Sequence, residues 1–302
     1  MKEALCIRSL KELSELVSGE RETIDSQMVD RAVCEIVENG YLQVIPYVVF
    51  YTTDISEGKV RFVQYLRAAT GGEDRLLSKT SIGFGGHIDA SDELKFGSST
   101  DIDGVVTYSM SLNDIVETTI GCGVREIIEE LGSNLFETLG IKVIAQNTAF
   151  FMGNPEEEVN KVHLGLLIPV KLTQEQLNIL IKEVVINKDE ISSIDVLGIN
   201  INTIIEEMDV TITLNKIENE LSYKLNLEDW SCKAMSFIVK KEINSLMKNV
   251  SYTDIVSLIH MKEEEEKISD VVYSVDPETK AVTKVQEQSE AEDLEEQCVA
   301  PV

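Results

Sequence analysis

Apolar positions along this chain follow two rhythms. Leu10, Leu13 and Leu16 recur at three-residue steps, the spacing of a helix face, and VDRAVCEIVENG (29–40) closes on an Asn-Gly stop. Residues 1–38 are therefore read as helical. The rhythm then changes. VIPYVVFYTT (44–53) and GKVRFVQYLRA (58–68) are rich in β-branched and aromatic residues and flank a Gly-ended turn, which predicts a hairpin. SIGFGGHID (81–89) reads as a short strand closing on glycines.

Residues 90–116 are polar and serine-rich at first, and are read as an excursion, part loop and part extra hairpin around GVVTYSM. A helix is expected over 114–131, then strands over 142–152 and 161–172, joined by the acidic loop GNPEEEVN. TQEQLNILIKEVVI reads as helix turning to strand, and further helices are expected over 200–208 and 227–247, the second anchored by Trp230, the single tryptophan. From 261 to 302 the chain holds 13 Asp and Glu against 4 Lys and almost no aromatics. Such a segment buries too little apolar surface to offset its ordering entropy, so the tail is expected to be disordered.

Composition narrows the classes. Lys and Arg number 27 against 54 Asp and Glu, a net charge of −27, which argues against a nucleic-acid or anionic-membrane surface. The five cysteines are scattered with no CxxC pair, a pattern of reduced thiols rather than of disulfides or zinc. No apolar run approaches the roughly 18 residues of a membrane span, and the N-terminus lacks the apolar stretch of a signal peptide. A cytoplasmic location is expected.

The chemistry concentrates in TTIGCGVREIIEELGSN (118–134). On a helix Glu126, Glu129 and Glu130 project from one face within a turn, and Arg125 can pair with Glu129 four residues on. Crowded carboxylates repel unless a cation joins them, and hard divalent ions prefer oxygen ligands. Taken alone, such a charge run is a solvated face.

The flanking residues change that reading. Glu117, seven residues, then Arg125-Glu126-Ile127-x-Glu129-Glu130-x-Gly132 resembles the second half of the signature of the Nudix hydrolase superfamily, G-x5-E-x7-R-E-U-x-E-E-x-G-U with U apolar. Only the last apolar position departs, being Ser133. Six residues before Glu117 stands Ser111, not Gly, and the leading glycine is sought at Gly86 in GFGGHID. Gly86 and Glu117 lie 31 positions apart where the signature has 6, an insertion of 25 residues. Insertions at loop tips cost little, and one here would border the substrate pocket. IPYVVF, GGHI, KVHLGLLIPV and EDWS come in an order similar to that of phage and bacterial Nudix proteins with a split box.

The resemblance implies an α/β fold, an α/β/α sandwich around a mixed sheet, spanning 40–248 with the insertion at about 90–116. An N-terminal helical extension (1–39) and a C-terminal helix with an acidic tail (249–302) lie outside it. It implies hydrolysis of a pyrophosphate bond in a nucleoside diphosphate linked to another moiety, by a metal-activated water. By analogy Glu126, Glu129 and Glu130 ligate Mg²⁺ or Mn²⁺, a carbonyl of Gly85 or Gly86 contributes, Glu117 is ligand or support, and Arg125 orients the glutamates. The general base stays open among Glu129, Glu130, the acids Glu156, Glu157 and Glu158, and Asp189 or Glu190. His87, Arg67 and Glu157 are candidate substrate contacts, although a His at a strand end is more often structural, an acid of GNPEEEVN more often a solvated turn, and Arg67 as readily a surface residue. The implied partner is a small-molecule nucleotide, and homodimers are common in the family. Two other readings compete: a catalytically silent domain that senses nucleotides or binds protein, and, with no convincing Cys and Glu pair for it, a prenyl diphosphate isomerase.

Overall fold

The computed structural model describes residues 2–54, 57–68, 78–145, 147–201, 204, 210–249, 273–275 and 282–284. The described strands are β1 (Glu3–Ile7), β2 (Ile24–Asp30), β3 (Leu42–Asp54), β4 (Lys59–Arg67), β5 (Thr80–Ser81), β6 (Gly83–Phe84), β7 (Ser98–Ile102), β8 (Val105–Met110), β9 (Ala149–Phe151), β10 (His163–Lys171), β11 (Ile191–Asn200), β12 (Tyr273–Val275) and β13 (Val282–Lys284). The described α-helices are α1 (Leu10–Val17), α2 (Arg31–Cys34), α3 (Leu112–Leu131), α4 (Leu135–Leu139), α5 (Gln174–Glu183), α6 (Val210–Leu225) and α7 (Asp229–Asn249).

All these strands join one mixed sheet, whose main path runs β13-β12-β9-β10-β3-β1-β2-β8-β7, with β4 pairing β3 and β11 pairing β4. At its centre β10 runs parallel to β3, from His163 opposite Gln43 to Lys171 opposite Tyr51. The apolar run of β3 is continuous because both faces are covered. Val44, Val48 and Phe50 pack in one core with Ile115, Ile127 and Leu131 of α3. Tyr47, Val49 and Tyr51 pack in a second core with Met235, Ile238 and Val239 of α7. The chain thus builds an α/β/α sandwich around a mixed sheet. Gly123 lets α3 sit close on this sheet, since a Cβ there would lie 2.9 Å from Val48 Cγ2 and 3.1 Å from Pro46 Cβ.

Several elements differ from the sequence reading. The N-terminal extension carries α1 and α2, and also two unanticipated strands. β1 pairs β3 and β2, so the extension belongs to the same sheet as the rest. Its LCI and MVD segments are too short to show a strand rhythm, and pairing with β3 and β8 decides their state. The excursion does hold a hairpin, β7-β8, which pairs β2. Helix α3 begins earlier than expected: Ser111 accepts from Asp114 N and Asp114 returns the bond to Ser111 N, a complete capping box. It ends at Gly132, whose φ of +92° suits a residue without Cβ.

In the region read as helix turning to strand, the strand starts only at Ile191. α6 begins in the β-branched run VTIT and was not anticipated. The helix expected over 200–208 falls mostly outside the described residues. Most of the acidic tail does too, apart from β12, which pairs β9, and β13, which pairs β12. No described helix is long and apolar enough to cross a membrane.

Candidate active site

The segment Gly83–Ile88 runs beside β3 at the middle of the sheet. It starts where Phe84 pairs Val48, and ends where Leu5 of β1 donates to the Ile88 carbonyl at 2.9 Å. α3 packs beside this segment, and both contribute to the lining of a cleft of about 650 Å³ that β1, β3, β4 and β10 also border. Its lining includes Gly85, Gly86, His87, Glu126, Glu130, Glu157 and Arg67 from the sequence candidates.

Both glycines are required by crowding. A Cβ on Gly86 would press on the Glu126 carboxyl group, with Oε2 the farthest of its atoms at 2.7 Å. A Cβ on Gly85 would fall on the Pro46 carbonyl, whose carbon would be 2.9 Å away. The Glu126 carboxylate thus rests against the backbone of Gly86, with no side chain between.

Arg125 fixes this arrangement. Its Nε and Nη2 each donate to Asp92 at 2.8 Å, Nη2 also donates to the His87 carbonyl at 3.0 Å, and Nη1 donates to Glu126 at 2.8 Å. The forked pair with Asp92 is the strong geometry for guanidinium and carboxylate. The bond to Glu129 is looser, at 3.3 Å.

Asp92 was missed in the sequence, although the signal was there: it stands six residues after Gly86, the spacing of the signature's first acid, with Asp in place of Glu. The inserted residues therefore lie between Asp92 and Arg125. Glu117 is exposed, accepts a hydrogen bond from Asn113 at 2.7 Å and does not line the cleft. Glu129 is also exposed and absent from the lining. The hairpin β7-β8 contributes nothing to the lining either; only Asp89, Ala90 and Ser91 of the loop before it do. Of the candidate bases, Glu130, Glu157 and Glu190 line the cleft, whereas Glu129, Glu156, Glu158 and Asp189 do not.

The electrostatics are unusual at two glutamates. Burial pushes the Glu126 carboxyl up to about 7 despite Arg125, with Glu129 and Glu190 adding repulsion. Burial also raises Glu130 well above the usual range; Arg67 opposes this, while Glu190, Glu126 and Glu228 reinforce it. Glu130 Oε2 is buried with no hydrogen-bond partner. Two desolvated carboxylates that repel each other favour a bound cation. Among the described residues no three acidic, His or Cys side chains converge closely enough to hold a metal by themselves. Glu126 and Glu130, the two box glutamates on the cleft, are the donor type that Mg²⁺ takes, an ion that keeps several waters and binds one or two carboxylates plus substrate phosphate.

The opposite wall is built by the β4 end and the start of α7. Glu228 is buried, accepts from Tyr47 Oη at 2.7 Å and from Ser81, and pairs with Arg67 Nε at 3.4 Å. Trp230, read from sequence as a core residue, lines the cleft; its Nε1 donates to Asn160 at 3.1 Å, and its ring meets Tyr47 and Phe151 edge-on. Burial, with the charges of Arg31 and Lys2, lowers the His87 pKa to about 4, so this imidazole is neutral at pH 7.

No family model matches the chain. Protein YmaB of Bacillus subtilis (strain 168) is 31% identical to it over 132 residues, 44% of this chain and 50% of that protein. The chain thus spans about half the length of the curated relative it matches. Among solved structures, the Nudix-type protein Tm1382 covers 78% of this chain and 97% of its own at 18% identity, with a TM-score of 0.39. A MutT/nudix family protein from Enterococcus faecalis covers 77% of this chain and 86% of its own at 8% identity, with a TM-score of 0.32.

Proposed function

We propose that this chain is a Nudix-type hydrolase of the cytoplasm, which cleaves a pyrophosphate bond in a small-molecule nucleoside diphosphate linked to another moiety. The observation that carries the reading is the clamp on Arg125. The guanidinium is forked onto Asp92, tied to the His87 carbonyl and bonded to Glu126, which it holds against Gly86. That arrangement unites the separated halves of the signature around two desolvated carboxylates.

Glu126, Glu130 and the Gly86 carbonyl would hold Mg²⁺ or Mn²⁺. A divalent ion there supplies charge shielding for the pyrophosphate and a more acidic attacking water. The chain's own residues do the rest. Arg125 restricts the Glu126 rotamer. Glu190, exposed and on the cleft, accepts the proton of the attacking water. Arg67 and Lys79 meet phosphate oxygens, and Trp230 offers its indole as a wall for the organic moiety.

A second reading, a catalytically silent nucleotide-sensing domain, draws support from the outward position of Glu129, which leaves only Glu126 and Glu130 of the three box glutamates on the cleft. A panel of nucleotide sugars, dinucleotides and nucleoside triphosphates with Mg²⁺ or Mn²⁺ separates the two. Hydrolysis lost in Glu126→Gln and Glu130→Gln supports the enzyme; binding without turnover across the panel supports the sensor.

A further inference from the structure

The floor of the cleft links two cationic poles that belong to different parts of the sheet. At its start, Ser81 pairs Tyr65 and Thr80 pairs Leu66, which brings the floor beside Arg67 and Lys79. At its end the Ile88 carbonyl is bonded to β1, which brings it beside Lys2, and the Lys2 carbonyl accepts from Arg31 N at 2.9 Å. Lys2 and Arg31 both line the cleft. Between the poles lie Gly85 and Gly86, without side chains, under Glu126 and Glu130.

The second pole comes from the N-terminal extension, outside the residues that carry the signature. Arg31 is held by Glu35, through Nε at 3.1 Å and Nη2 at 2.9 Å, and Glu3 lies nearby on the same lining. The lining carries four cations against eight acids, the same two-to-one excess of acid as the whole chain, and the four cations fall in two pairs at its two ends. Lys2 and Arg31 lie at the far end of this floor from Arg67, which is paired with Glu228, and from Lys79.

We infer that Lys2 and Arg31 form a second anion-binding subsite, and that the preferred ligand carries a further phosphate group beyond the pyrophosphate at Glu126 and Glu130. This rests on the reading of the cleft as a nucleotide site. The extra phosphate has two chemical sources: a phosphomonoester elsewhere on the molecule, or a longer polyphosphate bridge. Matched pairs distinguish them, ADP-ribose against its 2′-phosphate and diadenosine diphosphate against the tetraphosphate.

The test is calorimetric binding to the full chain with Ca²⁺ in place of Mg²⁺. In at least one pair the more phosphorylated member is expected to bind tenfold tighter or better, and the pair that shows the gap identifies the source. In the Lys2→Ala/Arg31→Gln double variant the gap is expected to fall below threefold. Lys2 is exposed, so Lys2→Ala alone tests the subsite without risk to the fold and should shrink the gap by about half on a logarithmic scale. Equal affinities within both pairs, a gap that survives the double variant, or no binding of any member overturns the inference. The gap is read without turnover. A protein that shows it but hydrolyses neither member supports the subsite and overturns the hydrolase reading.

Discussion

Arg125 grips Asp92 through two hydrogen bonds of 2.8 Å across 33 residues of sequence. The pair closes a loop that contains the whole β7-β8 hairpin and brings Gly86 back under Glu126. In the sequence Glu117 stands at the signature's offset from Arg125, and the structure gives the guanidinium to Asp92 instead.

This assignment has a direct consequence. Asp92→Ala leaves a half-buried guanidinium without its forked partner and frees the Glu126 rotamer. Loss of a residue that orients a metal ligand typically costs about 10–100-fold in metal affinity or activity. We expect a fall of that size in Asp92→Ala, recovery of most of it in Asp92→Glu, and a change under about twofold in Glu117→Gln, because Glu117 is exposed, lies off the cleft and bonds to Asn113 one turn away on the same helix. Steady-state assays over a Mg²⁺ titration check it. Equal losses at Glu117 and Asp92 would restore the first acid of the signature to Glu117.

The two floor glycines should fail in different ways. In Gly86→Ala the new methyl meets the movable end of Glu126, so the backbone can stay and the carboxylate must swing away. The expected outcome is a well-folded protein with activity down by about 100-fold or more, because the displaced carboxylate is one of the two proposed to hold the metal. In Gly85→Ala the methyl meets the Pro46 carbonyl on the central strand, which cannot move cheaply. Overpacking of this kind costs about 1–3 kcal/mol or more, and we expect a lower urea midpoint in Gly85→Ala but not in Gly86→Ala.

How much of this was legible beforehand follows from where each signal lies. Local chemistry was readable: the acids of α3, its stop at Gly132, the glycine-ended strand and the hairpin in the excursion all reflect nearest-neighbour preferences. What could not be read was set by long-range pairing. Nothing near Lys2 or Arg31 marks them as cleft residues; they arrive because β1 pairs β3 and the Ile88 carbonyl accepts from Leu5. Glu129 matched its motif position, yet it points outward because α3 turns Glu126 and Glu130 toward the sheet. Asp92 was readable in principle. A perfect spacing match further on, at Glu117, outcompeted it.

The raised pKa of Glu126 makes a prediction about the metal-free protein. Its folded value of about 7 lies above the ordinary glutamate value of 4.5, so folding favours the protonated form. The stability this contributes is fully present below pH 4.5 and is lost as pH rises through 7. At about 1.4 kcal/mol per pKa unit, the difference between those limits is up to roughly 3 kcal/mol. In EDTA the urea midpoint is therefore expected to fall between pH 5 and pH 8, and less steeply in Glu126→Gln. Mg²⁺ should stabilise the wild type more at pH 8 than at pH 5, because the cation binds the charged carboxylate and competes with the proton. A metal effect independent of pH would mean that the ion binds elsewhere.

The excursion between Asp92 and Arg125 was expected to border the substrate, and its placement argues for a different outcome. β8 pairs β2 near the sheet margin, β7 pairs β8 at the edge, and neither strand reaches the cleft lining. Their exposed apolar residues, Ile102 at 70% and Val105 at 52%, lie at the hairpin tip. The side chains there make few contacts that folding depends on, so replacement by polar residues forfeits little burial energy. We expect Ile102→Thr/Val105→Thr to leave kcat/KM within twofold for any substrate of the panel and to shift the melting temperature by no more than about 2 °C, since exposed substitutions usually fall within about 0.5 kcal/mol. Size-exclusion chromatography at high concentration should show less self-association in the variant, because an exposed apolar sheet edge promotes it. A fall in kcat/KM confined to one substrate class would instead bring the hairpin over the cleft during turnover, and would assign specificity to the inserted residues.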